Sequence, residues 1–131
     1  MLIPRTGSRV ALSLNGCYPH LDAQVGGVVC CAGRSADIKL MHEHDGGAVG
    51  RMVGHSDRIN ALCPVGDQLI ASASNDTTVR LWRPAAAEGR AGALCLSELR
   101  AHTAPVLALH VHRGLLFSGG ADSTTKVKPI P

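Results

Sequence analysis

The sequence predicts an all-β fold made of repeated four-stranded antiparallel meanders, and three observations carry that expectation. First, 45% of the 131 residues are hydrophobic but only 2% are aromatic, so Val, Leu, Ile and Ala must fill the core, and 15 glycines supply turns. Second, short apolar runs alternate with turn dipeptides and show no helical period. Third, the chain repeats. His55 matches His102, Ile59 and Leu62 match Val106 and Leu109, Ser72 matches Ser118, and Asp76 matches Asp122, a period of 46 to 47 residues.

The elements are clearest in the middle copy. A strand runs from Ile59 to Cys63, Gly66-Asp67 turns the chain, Leu69 to Ser74 forms the second strand, and Asn75-Asp76 turns it again. Val79 to Trp82 alternates Val79 and Leu81 against Arg80 and Trp82, a strand with two different faces. Leu94 to Leu99 is the fourth strand, after the linker "PAAAEGRAG". The last copy follows the same order but reaches "KVKPIP" after its third strand, where Pro129 and Pro131 oppose a regular fourth. An upstream copy is eroded: Val10 and Leu14 begin it, "GGVVCCAG" stands for "QLIASAS", and "DIKLM" (37–41) stands for "TVRLW" (78–82). Thr6 then takes the histidine position and Ser35 the aspartate position. The expected units are about 6–53, about 54–100 and about 101–128, all within one domain, 1–131.

Composition narrows the function classes. The formal net charge of +3 is spread along the chain and does not form a nucleic-acid footprint. Ten of the 13 basic residues are arginine, which suits bidentate contacts with carboxylates or phosphates. Cysteines 17, 30, 31, 63 and 95 include no C-x-x-C and are expected as free thiols. No run is long enough to span a membrane, and the first ten residues lack a secretory apolar region, which makes a cytoplasmic or nuclear protein the expectation. "HEHDGG" (42–47) and "HVH" (110–112) each offer two imidazoles but no third ligand, so neither a metal nor a cofactor is expected. "GGAVG" (46–50) lacks the spacing and lysine of a phosphate loop and reads as a flexible connector.

A Gly-His opening, an aspartate after a serine-rich strand and a tryptophan six residues later resemble the WD40 repeat, whose blades form β-propellers. The resemblance implies that His55, Ser72, Asp76 and Trp82 form a buried hydrogen-bonded chain, with His102, Ser118 and Asp122 repeating it in the third blade. There Lys128 replaces the tryptophan. Every polar group of such a chain finds a partner, whereas a Ser-His-Asp catalyst would need an oxyanion hole and would not be duplicated. The expectation is therefore no enzyme.

The resemblance further implies a binding face at the entry to the first strand and the turn before the blade aspartate. Arg9, Arg34, Arg58 and Asn75 map there, with Pro105 and Ala121 in the third copy. Three arginines on one face suit an acidic or phosphorylated peptide. The expected function is a noncatalytic protein–protein interaction scaffold, of the kind that reads a substrate or a signal within an assembly. The alternative is an RNA-associated propeller in RNA processing, with the same arginines on phosphates. Three blades do not close a ring, so further blades from the same or another chain are an expected partner.

Overall fold

Turn chemistry sets the strand ends in the computed structural model, which describes residues 17–25, 28–33, 35–42, 47–66, 68–84 and 93–130. The hairpin after Val106–His112 turns on Arg113 and Gly114, both at positive φ (50° and 76°), the two-residue geometry that matches strand twist. Gly66 (φ 65°) performs the corresponding turn one copy earlier. Between the second and third strands the left-handed residue is not glycine but Thr77 (φ 75°) or Ser123 (φ 66°). The preceding aspartate holds each turn: Asp76 Oδ1 accepts the Thr78 N–H at 2.9 Å, and Asp122 Oδ1 accepts the Thr124 N–H at 3.1 Å.

Three antiparallel sheets result. The first contains β1 (Cys17–Val25), β2 (Val28–Gly33), β3 (Ile38–His42) and β4 (Ala48–Met52), in that order. The second contains β5 (Ile59–Val65), β6 (Leu69–Ser74), β7 (Val79–Pro84) and β8 (Ala93–Leu99). The third contains β9 (Val106–His112), β10 (Leu115–Gly120) and β11 (Thr125–Pro129). Each is one propeller blade, and β1, β5 and β9 are neighbours across the blade boundaries.

The middle blade is buried on both faces, and strand alternation decides which residue serves which side. Ile59, Ile70 and Trp82 pack on Cys30, Ala32, Ile38, Leu40 and Met52 of the first blade. Ala71, Ala73, Val79 and Leu81 pack on Val106 and Leu116 of the third. The single tryptophan thus fills one interblade layer, and aliphatic side chains alone fill the other.

Three expectations change. The first strand of the first blade is Cys17–Val25 rather than a strand beginning at Val10 and Leu14, which lie outside the described residues. Its register on β2 pairs Val25 with Val28. "GGAVG" is not simply a connector, because Ala48–Met52 pairs with β3 and brings Met52 into the core at 0% exposure. Nor are all the cysteines free. Cys30, Cys63 and Cys95 are, whereas Cys31 is disulfide-bonded. Neighbours in a strand point to opposite faces, so Cys30 enters the layer against the second blade while Cys31 does not. Burial pushes the Cys30 thiol up to about 12, which suppresses its thiolate.

Candidate interaction face and the buried polar chain beneath it

The opening loop of the second blade carries His55 across the end of the sheet, where β6, the following turn and β7 bring three partners to it. Asp76 Oδ2 lies 2.9 Å from His55 Nδ1, and Ser72 Oγ lies 2.6 Å from Nε2. The indole N–H of Trp82 donates to Ser72 Oγ at 2.8 Å. One tautomer satisfies this order: Nδ1–H donates to the carboxylate, Nε2 accepts the serine O–H, and the serine oxygen accepts from the indole. His55 and Ser72 are 5% and 0% exposed, so a substrate carbonyl has no path to this hydroxyl, and Ser72 has no bond left to lend.

Asp76 also accepts the Ser56 N–H (3.0 Å), the Thr78 N–H and the Thr78 hydroxyl (2.6 Å). Burial alone would raise its carboxyl pKa, but the hydrogen bonds from Thr78, His55 and the two backbone amides outweigh it and hold the value well below the usual range. Burial lowers the His55 pKa, even though the Asp76 hydrogen bond and charge oppose it.

The third blade repeats the arrangement in part. His102 Nδ1 meets Asp122 at 3.0 Å, and Nε2 meets Ser118 Oγ at 2.9 Å. The Thr124 hydroxyl and the Thr103 N–H also donate to Asp122 and hold its pKa down. Leu116 pairs with Lys128 as Ile70 pairs with Trp82, so the lysine stands where the indole would, and Ser118 Oγ has no donor in that direction among the described residues. In the first blade Val29 pairs with Met41, which puts methionine at the tryptophan position and Cys31 at the serine position. Ser35 keeps one task of the aspartate: its hydroxyl accepts the Asp37 N–H at 2.8 Å. Thr6 lies outside the described residues.

Above this support lies the exposed face. The Asn75 N–H donates to the Arg58 carbonyl at 2.8 Å, and the Ala121 N–H donates to the Pro105 carbonyl at 2.8 Å, so each turn is tied to its strand entry in the same way. Arg58 is exposed, and its guanidinium has no ion-pair partner among the described residues. Asn75 is half-buried and accepts the Asn60 amide at 2.7 Å, while Asn60 also reaches the Val106 carbonyl of the next blade at 2.9 Å. Arg9 and Arg34 lie outside the described residues, so Arg58 is the one arginine of the three that the structure places. Sequence reasoning missed Asn60, Thr78 and Thr124. The repeated Asp-x-Thr of 76–78 and 122–124 was the available signal for the threonines. Among the described residues no group of three or more His, Cys, Asp or Glu side chains is placed to hold a metal ion.

Comparison with known proteins agrees with this geometry. The family model "WD domain, G-beta repeat" (WD40) matches residues 46–83 and 93–127. Polycomb protein EED of Chaetomium thermophilum is 30% identical over 108 residues, covering 79% of this chain and 19% of that protein. Mitochondrial division protein 1 of Pyricularia oryzae is 32% identical over 99 residues, covering 72% of this chain and 14% of its own length. Pre-mRNA-processing factor 19 homolog 2 of Arabidopsis thaliana is 34% identical over 86 residues, 65% of this chain and 16% of that one. The chain thus spans less than a fifth of each of these relatives. Among solved structures, a chain of an active polycomb repressive complex 2 in the basal state superposes with a TM-score of 0.71 at 26% identity, over 85% of this chain and 25% of that one. The computationally designed Ika4 protein shares the fold, with a TM-score of 0.68 at 23% identity over 84% and 64% of the two chains. The two matched segments run from β4 to β7 and from β8 to β11, each joining the outer strand of one blade to the inner three of the next, and the chain belongs to the WD40 repeat family.

Proposed function

We propose that this chain is a noncatalytic protein–protein interaction scaffold whose blade face around Arg58 and Asn75 captures acidic or phosphorylated peptide segments. The observation that carries this reading is the matched pair of backbone ties, Asn75 to Arg58 and Ala121 to Pro105. They tie the turns of two neighbouring blades to their strand entries in the same way, and the Arg58 guanidinium beside one of them has no ion-pair partner among the described residues. Such a group suits carboxylate or phosphate recognition. His55, Ser72, Asp76 and Trp82 act beneath it as a structural chain that holds the loops in register, with His102, Ser118 and Asp122 doing so in the third blade.

Further blades are the second class of partner. The face of the second blade formed by Ala71, Ala73, Val79 and Leu81 is covered by the third blade. Its counterpart on the third blade is open: Val127, which pairs with Phe117 as Leu81 pairs with Ala71, is 52% exposed. Leu107, at the position of the interblade residue Asn60, is 53% exposed. Another blade, from this chain type or a different protein, is the natural cover for these groups.

Fluorescence anisotropy with labelled Glu-rich and phosphoserine peptides tests the face. Arg58→Glu is expected to abolish binding. Arg83→Glu, at the exposed far end of β7, is expected to leave it intact. Equal loss in both variants, or in neither, would remove the assigned face. Tighter binding of labelled single-stranded RNA, falling steeply with salt, would favour the RNA-associated alternative.

A further inference from the structure

Lys128 at the tryptophan position of the third blade has a spatial consequence between the second and third blades. A cleft of about 430 Å³ opens there, within the range of about 300 to 1,000 Å³ typical of ligand pockets. Its apolar lining includes Val79 and Leu99 of the second blade and Leu116 of the third. Ser118 lines the same cleft. Its counterpart Ser72 accepts the Trp82 indole N–H, whereas Ser118 Oγ is bonded, among the described residues, only toward His102. The cleft therefore combines an apolar slot beside Lys128, which holds the tryptophan position, with a serine oxygen that accepts no indole N–H among the described residues.

Charge defines what accompanies the indole. Glu98 and Arg100 line the cleft, but the Glu98 carboxylate is shared between Arg80 at 3.1 Å and Arg100 at 2.5 Å. Lys126 and Lys128 line it too, both exposed and without ion-pair partners among the described residues. The rim is left with uncompensated positive charge beside an apolar slot.

We infer that this cleft is a docking site for a tryptophan side chain carried on an acidic segment of a partner protein. The indole lies between Val79, Leu99 and Leu116 and donates its N–H to Ser118 Oγ, completing in trans the chain that the second blade completes with Trp82. Carboxylates next to the tryptophan meet the ammonium groups of Lys126 and Lys128. The site lies between the blades and is separate from the Arg58 face, so the two stand or fall independently.

The test uses the full chain and three capped peptides, acetyl-Trp-Glu-Glu-amide, acetyl-Trp-Gln-Gln-amide and acetyl-Ala-Glu-Glu-amide, titrated by NMR with the Leu116 and Ser118 amides as reporters. Acetyl-Trp-Glu-Glu-amide is expected to bind and shift both amides, the Gln peptide about tenfold more weakly, and the Ala peptide not at all. Lys128→Trp fills the slot from within, so it should abolish binding and raise the denaturation midpoint. Lys126→Ala alters only an exposed side chain, and should weaken the Glu peptide several-fold while leaving the Gln peptide unchanged. Absence of binding at millimolar peptide, undiminished binding to Lys128→Trp, or equal binding of the Ala peptide would each overturn the proposal.

Discussion

Substituting Asp76 by alanine isolates the energetic role of the buried polar chain. The carboxylate accepts four donors: the Thr78 hydroxyl at 2.6 Å, His55 Nδ1 at 2.9 Å, the Thr78 N–H at 2.9 Å and the Ser56 N–H at 3.0 Å. Ser56 is exposed and turns to water, but the His55 side chain is 0% exposed and Thr78 is 2% exposed, so their donors stay buried without an acceptor. Orphaning a buried donor costs about 1 to 3 kcal/mol, and a second one sharing the site does not add in full, which gives about 2 to 4 kcal/mol. Asp122→Ala should cost less. Three of its donors, the Thr103 N–H and the Thr124 N–H and hydroxyl, come from exposed residues, and only His102 is left buried. Urea denaturation followed by fluorescence of Trp82, the single tryptophan, reads the first variant, and far-UV circular dichroism reads both. Equal losses for the two variants, or a loss under about 0.5 kcal/mol for Asp76→Ala, would refute the reasoning.

Two further predictions use the same region. His55 and Asp76 both have folded pKa values below their ordinary ones, so the unfolded chain binds more protons and acid destabilises the fold. Stability should be full at about pH 7.5, decline below about 6.5 as unfolded His55 protonates, and fall further below about 4 through Asp76. Urea midpoints that rise toward acid would contradict both shifts. Gly54→Ala is expected to lower stability by about 1 to 3 kcal/mol, since a Cβ there would lie 2.9 Å from Trp82 Cη2 and 2.9 Å from Arg80 Nη1. An unchanged midpoint would show that the indole can shift without disturbing its bond to Ser72.

Much of the middle blade could be read from sequence because each strand there is bounded by a residue with one physical purpose. Gly66 supplies a positive φ, and Asp76 caps a turn through its own carboxylate. The first blade was harder. Pro19, His20 and Asp22 interrupt the apolar alternation of β1, while Val10, Leu12 and Leu14 offer a cleaner pattern upstream, and pairing with β2 decided the register. Glycine content alone made 46–50 look like a linker, although Met52 needed a strand to bring it into the core. Among site residues, the histidines, serines and aspartates stood out by repetition, and Trp82 by its place six residues after Asp76. Asn60 did not, because its function is to cross from Asn75 to Val106 of the next blade, a relation that only the stacking of sheets creates. The cleft at Lys128 was invisible for the same reason: the substitution is plain in the repeat, but the space it leaves depends on Val79 and Leu99 of another blade.

Sedimentation velocity over a wide concentration range tests most directly the claim that this chain works by associating through blades and their faces. With Val127 at 52% and Leu107 at 53% exposure on the third blade, the purified chain should show a mass that rises with concentration above that of one chain. Val127→Asp, placed in the middle of the exposed strand β11, should suppress that rise without altering the circular dichroism spectrum. A monodisperse monomer at every concentration, with the wild-type chain and Val127→Asp indistinguishable, would contradict the account.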